Sequence, residues 1–254
     1  NMNYPLDSYM ELKLKNSQIT EIEIEGVISG YFGTIDDTIW FYYIKADVYY
    51  FGAEVLEKFM MKTGVSKTTV LTCDVAYNGI LSDFDLILLS KEGRYYSDNG
   101  DCLEPETKVK NASFRLATIE DIEYLIETTR GYYIDFEESV RLQRVYLLEI
   151  SGEILGCGTL NPSGLFDKWI SLGVTVIPKH RRKGVGTKLI WHLKKMAYEQ
   201  RLQVMAGCWY YNTIIGKCLI KNNMLPIAKE VCYQIGARDK LPEKSGTLFV
   251  QEEN

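Results

Sequence analysis

Two runs of alternating and β-branched residues, 144–150 and 153–160, flank Ser151-Gly152, and a two-residue connection of that composition closes a hairpin. These strands are expected to pair antiparallel. Ahead of them the apolar segment from Phe114 to Ala117 precedes Thr118, with Asp121 three residues on, a capping-box-like start that predicts a helix through about Thr128. After them, residues 168–176 read as a strand, and Val185, Leu189, Leu193, Met196 and Ala197 share one face of a helix opening near Gly184. A strand over Gln203 to Tyr210, a short helix from Asn212 to about Lys221 and a strand around Ile227 to Ile235 follow. This part of the chain reads β-α-β-β-β-α-β-α-β.

The earlier part is patterned more faintly. Ile19, Ile22 and Ile24 suggest a strand, Ile39 to Ile44 a second, Gly52 to Thr63 a helix, and 68–73 and 84–90 two more strands. From Ile39 to Lys91 the order strand, loop, helix, strand, short helix, strand mirrors the order from Ile170 to Ile235. Two readings stand, a decayed internal duplication or an unrelated α+β domain. Tyr95 to Asn111 is rich in turn formers and charges and reads as a connection, so the expected division is 1–95, a linker over 96–112, and 113–254.

A composition of 46% apolar and 25% charged residues is globular, and runs such as Leu86-Ile87-Leu88-Leu89 fall far short of the roughly 18 to 20 residues of a membrane-spanning helix. The first residues lack the basic, apolar, small-residue order of a secretory signal, so a cytoplasmic protein is expected. Six cysteines without a CxxC pair and two histidines, His180 and His192, at no ligand spacing predict neither a disulfide framework nor a metal site. Residues 1–110 hold 10 Lys+Arg against 18 Asp+Glu, and residues 111–254 hold 19 against 16. The positive charge is concentrated at 179–195, which suits a small polyanion better than a nucleic acid.

That cluster sits at a strand-to-helix turn. Val174-Thr175-Val176 ends a strand, Ile177-Pro178-Lys179-His180 leads on, and Arg181-x-x-Gly184-x-Gly186 opens the amphipathic helix. The first N–H groups of a helix have no intrahelical acceptor, so a diphosphate placed there accepts them and gains from the helix dipole. Gly184 and Gly186 let the backbone approach, and Arg181, Arg182, Lys183 and Thr187 add charge and a hydroxyl. A Walker A loop and a dinucleotide fingerprint both require spacings that are missing.

The stretch resembles the (Arg/Gln)-x-x-Gly-x-(Gly/Ala) loop of the GCN5-related N-acetyltransferase (GNAT) family, including its Val-x-Pro lead-in, here Val176-Ile177-Pro178. The resemblance covers about residues 113–236. It implies an α/β (α+β) fold with a mixed, mostly antiparallel central sheet flanked by helices, the smaller N-terminal α/β domain being under one of the two readings a degenerate GNAT-like repeat. It implies acetyl-CoA as co-substrate, an amine acceptor, no metal, and no nucleic-acid or membrane partner. By the same resemblance Val174 and Val176 pair with pantetheine, residues 181–187, Val185 among them, hold the pyrophosphate, and Asn212 contacts the pantetheine arm while also serving as a helix N-cap.

Seven residues beyond that Asn many family members place a Tyr that protonates the departing thiolate, and here the residue is Leu219. Cys218, Tyr210 and Tyr211 are the neighbouring candidates for an acid, and Glu149 is a candidate base with a surface carboxylate as its alternative role. A backbone N–H near Val176 is a candidate oxyanion donor. His180 is expected to face solvent and His192 to pack beside the helix stripe. The implied function is acetyl transfer from acetyl-CoA to a primary amine on a small molecule, peptide or protein. The alternative, prompted by Leu219, is an acyl-CoA binding or sensing module whose catalysis has lapsed. A phosphate or nucleic-acid binding domain is the third and weaker reading. The acceptor and the oligomeric state cannot be read from these residues.

Overall fold

The computed structural model describes residues 6–129 and 136–238. A helix, α1 (Ser8–Asn16), precedes three antiparallel strands, β1 (Gln18–Ile24), β2 (Val27–Ile35) and β3 (Thr38–Ile44). A 3-10 turn over Ala46–Phe51 runs into α2 (Gly52–Thr63), and β4 (Lys67–Leu71), α3 (Val75–Leu81) and β5 (Phe84–Asp98) complete the first half. The second half opens with β6 (Ser113–Leu116), α4 (Ile122–Thr129) and α5 (Phe136–Arg141), then β7 (Val145–Ile150), β8 (Glu153–Pro162) and β9 (Trp169–Val176). A 3-10 turn over Pro178–His180 leads toward α6 (Val185–Glu199), followed by β10 (Gln203–Trp209), α7 (Thr213–Lys221) and β11 (Met224–Arg238).

Local chemistry accounts for several of these elements. Ser151 and Gly152 both take positive φ, 50° and 80°, the twist that a two-residue hairpin loop requires, and β7 and β8 pair antiparallel through it. Thr118 and Asp121 close the expected capping box ahead of α4. Arg115 donates to Asp121 at 2.7 Å and to Glu149 at 3.0 Å, and that guanidinium holds the Asp121 carboxyl down at about 2.

The strands form one sheet in the order β1-β2-β3-β4-β11-β5-β10-β9-β8-β7-β6. Among the described residues only β3 with β4 and β9 with β10 run parallel, and the other neighbours are antiparallel. With β6 set aside as an extra edge strand, the order is unchanged when β1–β5 are exchanged for β7–β11. The register repeats too, since Gly30 faces Ile44 as Gly156 faces Val176. The last strand of each half crosses into the other: β11 lies between β4 and β5, and β5 between β11 and β10.

The crossing lengthens β5 beyond the strand read over 84–90, through Tyr95 and on to Asp98. Ser97 and Asp98 favour turns, yet β10 and β11 on either side supply the hydrogen bonds that keep them extended. Also absent from the sequence reading were β2, whose run is interrupted by Gly30 and Gly33, the six-residue α5, and α1, which buries only Met10.

Helices α2 and α3 cover the first half around Phe32, Leu56 and Tyr77, and α6 and α7 cover the second through Ile190, Leu193, Ala197 and Leu219. On the opposite face, α1 and the residues before it pack Leu6 and Met10 on Tyr95, Leu71 and Ala228. Lys194, only 1% exposed, pairs with Asp98 at 2.7 Å and donates to the carbonyls of Asp101 and Asn222 at 2.7 and 2.5 Å. That network fastens α6 to the end of β5.

Candidate active site

β9 and β10 pair only from Trp169 to Ser171 and from Gln203 to Met205. Beyond those residues β10 stays bonded to β5 and β9 to β8, so the two strands part. The gap is a cleft of about 450 Å³, walled by residues 172–176 and 206–208, closed at one end by Arg181 to Gly186 and flanked by α7. Ile177 N–H donates to the Leu155 carbonyl at 3.1 Å, and the β8–β9 register runs from there without a shift. Antiparallel alternation therefore turns the backbone groups of Val174 and Val176 away from β8 and into the cleft. The Val176 carbonyl accepts from Arg181 Nε at 3.1 Å. The Val174 N–H and C=O and the Val176 N–H form an open strand edge, which an extended molecule bearing amides can join.

At the closed end, Arg182 and Gly184 both take positive φ, 61° and 89°. Gly184 caps α6 without a side-chain hydrogen bond, and α6 opens toward the cleft with its first N–H groups lacking acceptors within the helix. A Cβ on Gly184 would lie 3.2 Å from Thr107 Cβ in addition to the strain of its φ. Arg182, Lys183, Lys108 and Lys221 surround a second hollow of about 350 Å³ beside the turn, with Thr187 in its wall. The basic turn, the open strand edge and the cavity thus adjoin one another.

The structure brings together Val174, Val176, Arg181, Arg182, Gly184, Val185, Gly186 and Asn212 around the cleft, with Lys183 and Thr187 on the adjoining hollow. Asn212 caps α7, its Oδ1 accepting from Ile215 N–H at 3.3 Å. Cys218 lines the cleft, 3.7 Å from where a Gly186 Cβ would stand, and Leu219, 1% exposed, lines its floor while packing into the core. Tyr211 is exposed and stacks among Trp209 and Tyr210, and Tyr210 lies over Arg94. Glu149, on β7, is held by Arg115 and lies three strands from β10, beyond β9 and β8. His180, expected in solvent, is 8% exposed, with its Nε2 3.2 Å from Glu153. His192 stacks on Phe114, and burial pushes its imidazole down to about 4.

Residues 114–214 match the model of the acetyltransferase (GNAT) family, and residues 1–98 match a second, described as an acetyltransferase (GNAT) domain. The chain belongs to the GNAT acetyltransferase family. It carries two GNAT modules in tandem, which settles the duplication seen in the strand order. No curated protein matches the sequence. Among solved structures, a GNAT-family acetyltransferase from Colwellia psychrerythraea superposes with a TM-score of 0.80 at 15% identity, over 92% of this chain and 91% of that one. A tandem GNAT protein from the clavulanic acid biosynthesis pathway gives 0.56 at 12%, over 87% and 83%. A GCN5-related N-acetyltransferase from Sphaerobacter thermophilus gives 0.54 at 13%, over 84% and 80%. At these identities the likeness concerns the fold.

In the first GNAT module β3 and β4 also pair briefly, at Thr38–Ile39 and Lys67–Thr68, before parting. Side chains fill that space. Tyr42 donates from its hydroxyl to the Gly52 carbonyl at 2.8 Å, Tyr77 shares a 2.7 Å hydrogen bond with Thr68, and the two rings meet edge to face. The turn into α2 is a continuous 3-10 segment containing Asp47, and Gly52 has an ordinary helical φ of −54°.

Across the sheet from α6 and α7 lies another cavity, of about 310 Å³, which shares Gly207 and Cys208 with the cleft of the second module. Asp7, Glu230, Tyr95 and Tyr9 line it, with Glu92 and Trp209 toward its mouth. Tyr95 donates to Glu230 Oε2 at 2.7 Å, and Glu230 Oε1 is buried without a partner. Asp7 Oδ1 accepts from Met10 N–H at 2.9 Å, while Oδ2 lies where a Cβ on Gly207 would be, 2.2 Å from it. Burial raises the Glu230 carboxyl and, with the charges of Glu230 and Glu11 nearby, holds Asp7 up at about 6 against the Met10 hydrogen bond. The sequence reading missed these residues. The one local signal is Glu230 itself, a carboxylate in phase with the inward-facing Ala228 of the same strand.

Among the described residues no group of three or more His, Cys, Asp or Glu side chains could hold a metal ion, and no helix is long and apolar enough to cross a membrane.

Proposed function

We propose that this protein is an N-acetyltransferase that moves the acetyl group of acetyl-CoA to a primary amine, using the cleft between β9 and β10. The observation that carries the reading is the parting of these strands beside a left-handed, basic turn. One end is built for a diphosphate, and the wall is built for a chain of amides. The backbone of Val174 and the N–H of Val176 hold the pantetheine arm, and the α6 N-terminus with Arg181, Arg182, Lys183 and Thr187 holds the phosphates. Val176 N–H is also placed to polarise a thioester carbonyl at the inner end. Fixing the two reactants in line supplies much of the rate, so few side chains are needed.

Calorimetry with coenzyme A tests the grip: wild-type binding and its loss in Gly184→Val are expected, and equal affinity in the two proteins sinks the assignment. Release of free thiol from acetyl-CoA across a set of amines tests turnover. The second reading, an acyl-CoA sensor, rests on the apolar Leu219 lining the cleft where an acid would stand. Coenzyme A binding without thiol release on any amine selects it.

A further inference from the structure

The 310 Å³ cavity on the far side of β10 has two buried carboxylates, Asp7 and Glu230, in its wall. Asp7 is 6% exposed and Glu230 2%, and neither they nor Glu92 at the mouth makes an ion pair with any described residue. A buried carboxylate without a counter-charge is costly, and Glu230 Oε1 lacks even a hydrogen-bond donor. Lys13, whose charge favours the ionised Glu230 without pairing with it, lies over the rings of Tyr9 and Trp40 at 5.3 and 4.5 Å. The aromatic rim of Tyr9 and Trp209 suits an alkylammonium, which binds ring faces. The cavity and the acyl-CoA cleft share Gly207 and Cys208 in their walls, and any side chain at Gly207 would run into Asp7.

We propose that this cavity is the acceptor site, that it takes an aliphatic diamine or polyamine, and that Asp7 accepts the proton of the reacting ammonium. The proposal rests on the acetyltransferase reading above. The inner nitrogen lies between Asp7 and Glu230 at Gly207, and a second, permanently charged nitrogen lies between Glu92 and the aromatic rim. Asp7 takes one proton from the inner ammonium, and the freed lone pair attacks the thioester carbonyl carbon. The N–C bond forms, the C–S bond breaks, and the thiolate leaves with the second proton lost by nitrogen. The amide N–H of the product then has Glu230 Oε1 as its acceptor, and Asp7 returns its proton to solvent.

The groups facing Asp7 are Glu11 on its own helix, Glu230 on β11, Tyr95 and Glu92 on β5 and Ser171 on β9, where Ser8 N–H donates at 2.9 Å. Burial, with the charges of Glu230 and Glu11, disfavours the ionised form of Asp7 and holds it at about 6, a suitable value for proton acceptance near neutral pH.

The test is calorimetric titration of the full chain with 1,4-diaminobutane, with coenzyme A titrated separately into the same protein. Wild type should bind the diamine at pH 8 and bind pentylamine at least about tenfold more weakly, and Glu230→Gln should lose about tenfold in diamine affinity while keeping its coenzyme A affinity. Asp7→Asn, which retains the cap on α1, should lower kcat about 100-fold and remove the acid limb near pH 6 from the kcat/KM profile. No diamine binding in a protein that binds coenzyme A overturns this proposal alone, as do equal affinities for the diamine and pentylamine or an unaffected Glu230→Gln. Failure to bind coenzyme A overturns the reading beneath it.

Discussion

Residues 46–52 and 178–186 make the same connection, from a strand that has just left its parallel neighbour to a helix lying across the gap, and they make it in opposite ways. In the first module the turn winds directly into α2, and Tyr42, Tyr77 and Ile80 occupy the space between the strands. In the second, two left-handed residues break the winding, α6 starts abruptly with free N–H groups, and the space stays open. The frame of two parting strands is thus shared, and what separates a site from a core is the turn and three side chains. Gly30 and Gly156 keep equivalent register on the next strand, although β2 and β3 shift register at Gly33/Thr34 where β8 and β9 run without a shift.

The largest effect expected from breaking this comparison comes from cutting the modules apart. Chains ending or starting near residue 112 should each fail to give a cooperative thermal transition alone, and mixing them should restore one. Independent melting of either piece would contradict the crossed strands. Next, Tyr77→Ala removes the ring that plugs the first gap and should cost about 3 to 5 kcal/mol in urea denaturation without creating a second coenzyme A site, which calorimetric stoichiometry checks. Gly52→Ala should cost about 1 to 3 kcal/mol, since a Cβ there lies 2.6 Å from Ile80 Cδ1, yet leave coenzyme A affinity unchanged, whereas Gly184→Val should lose that affinity at least tenfold. An equal loss of affinity in both variants would dissolve the distinction between the turns.

The smallest effect is a pH dependence special to the second module. Asp121 has a folded carboxyl held at about 2, below the ordinary 3.8, chiefly by Arg115. Its contribution is complete above pH 3.8 and is lost as pH falls toward 2. Asp121→Asn should therefore flatten the acid side of the Tm profile between about pH 4 and 2, and an unchanged slope there would mean that Arg115 is not its partner in solution.

What was readable from the sequence was whatever is local to a few turns of chain. The hairpin at Ser151-Gly152, the capping box at Thr118, the apolar stripe of α6 and the turn at Arg181 each declare themselves within about ten residues. The crossing of β5 and β11 does not, because it is a choice between neighbours with equally apolar faces. Tyr95 and Glu230, 135 positions apart, meet only through that choice. Asp7 was invisible for a related reason: α1 buries a single residue, so nothing in its pattern announces that the carboxylate before it turns inward. His180 sits in a basic run that looks solvated, yet the fold buries it beside Glu153 of the neighbouring hairpin.

The position of β5 between β10 and β11 bears on how such a chain can change over generations. A duplicated copy that has lost its own pocket is ordinarily free to erode or to be deleted. Here deletion would strip Tyr95 and Asp7 from the surviving copy and leave β10 and β11 with raw edges open to other chains. Neither copy can be removed without breaking the sheet of the other.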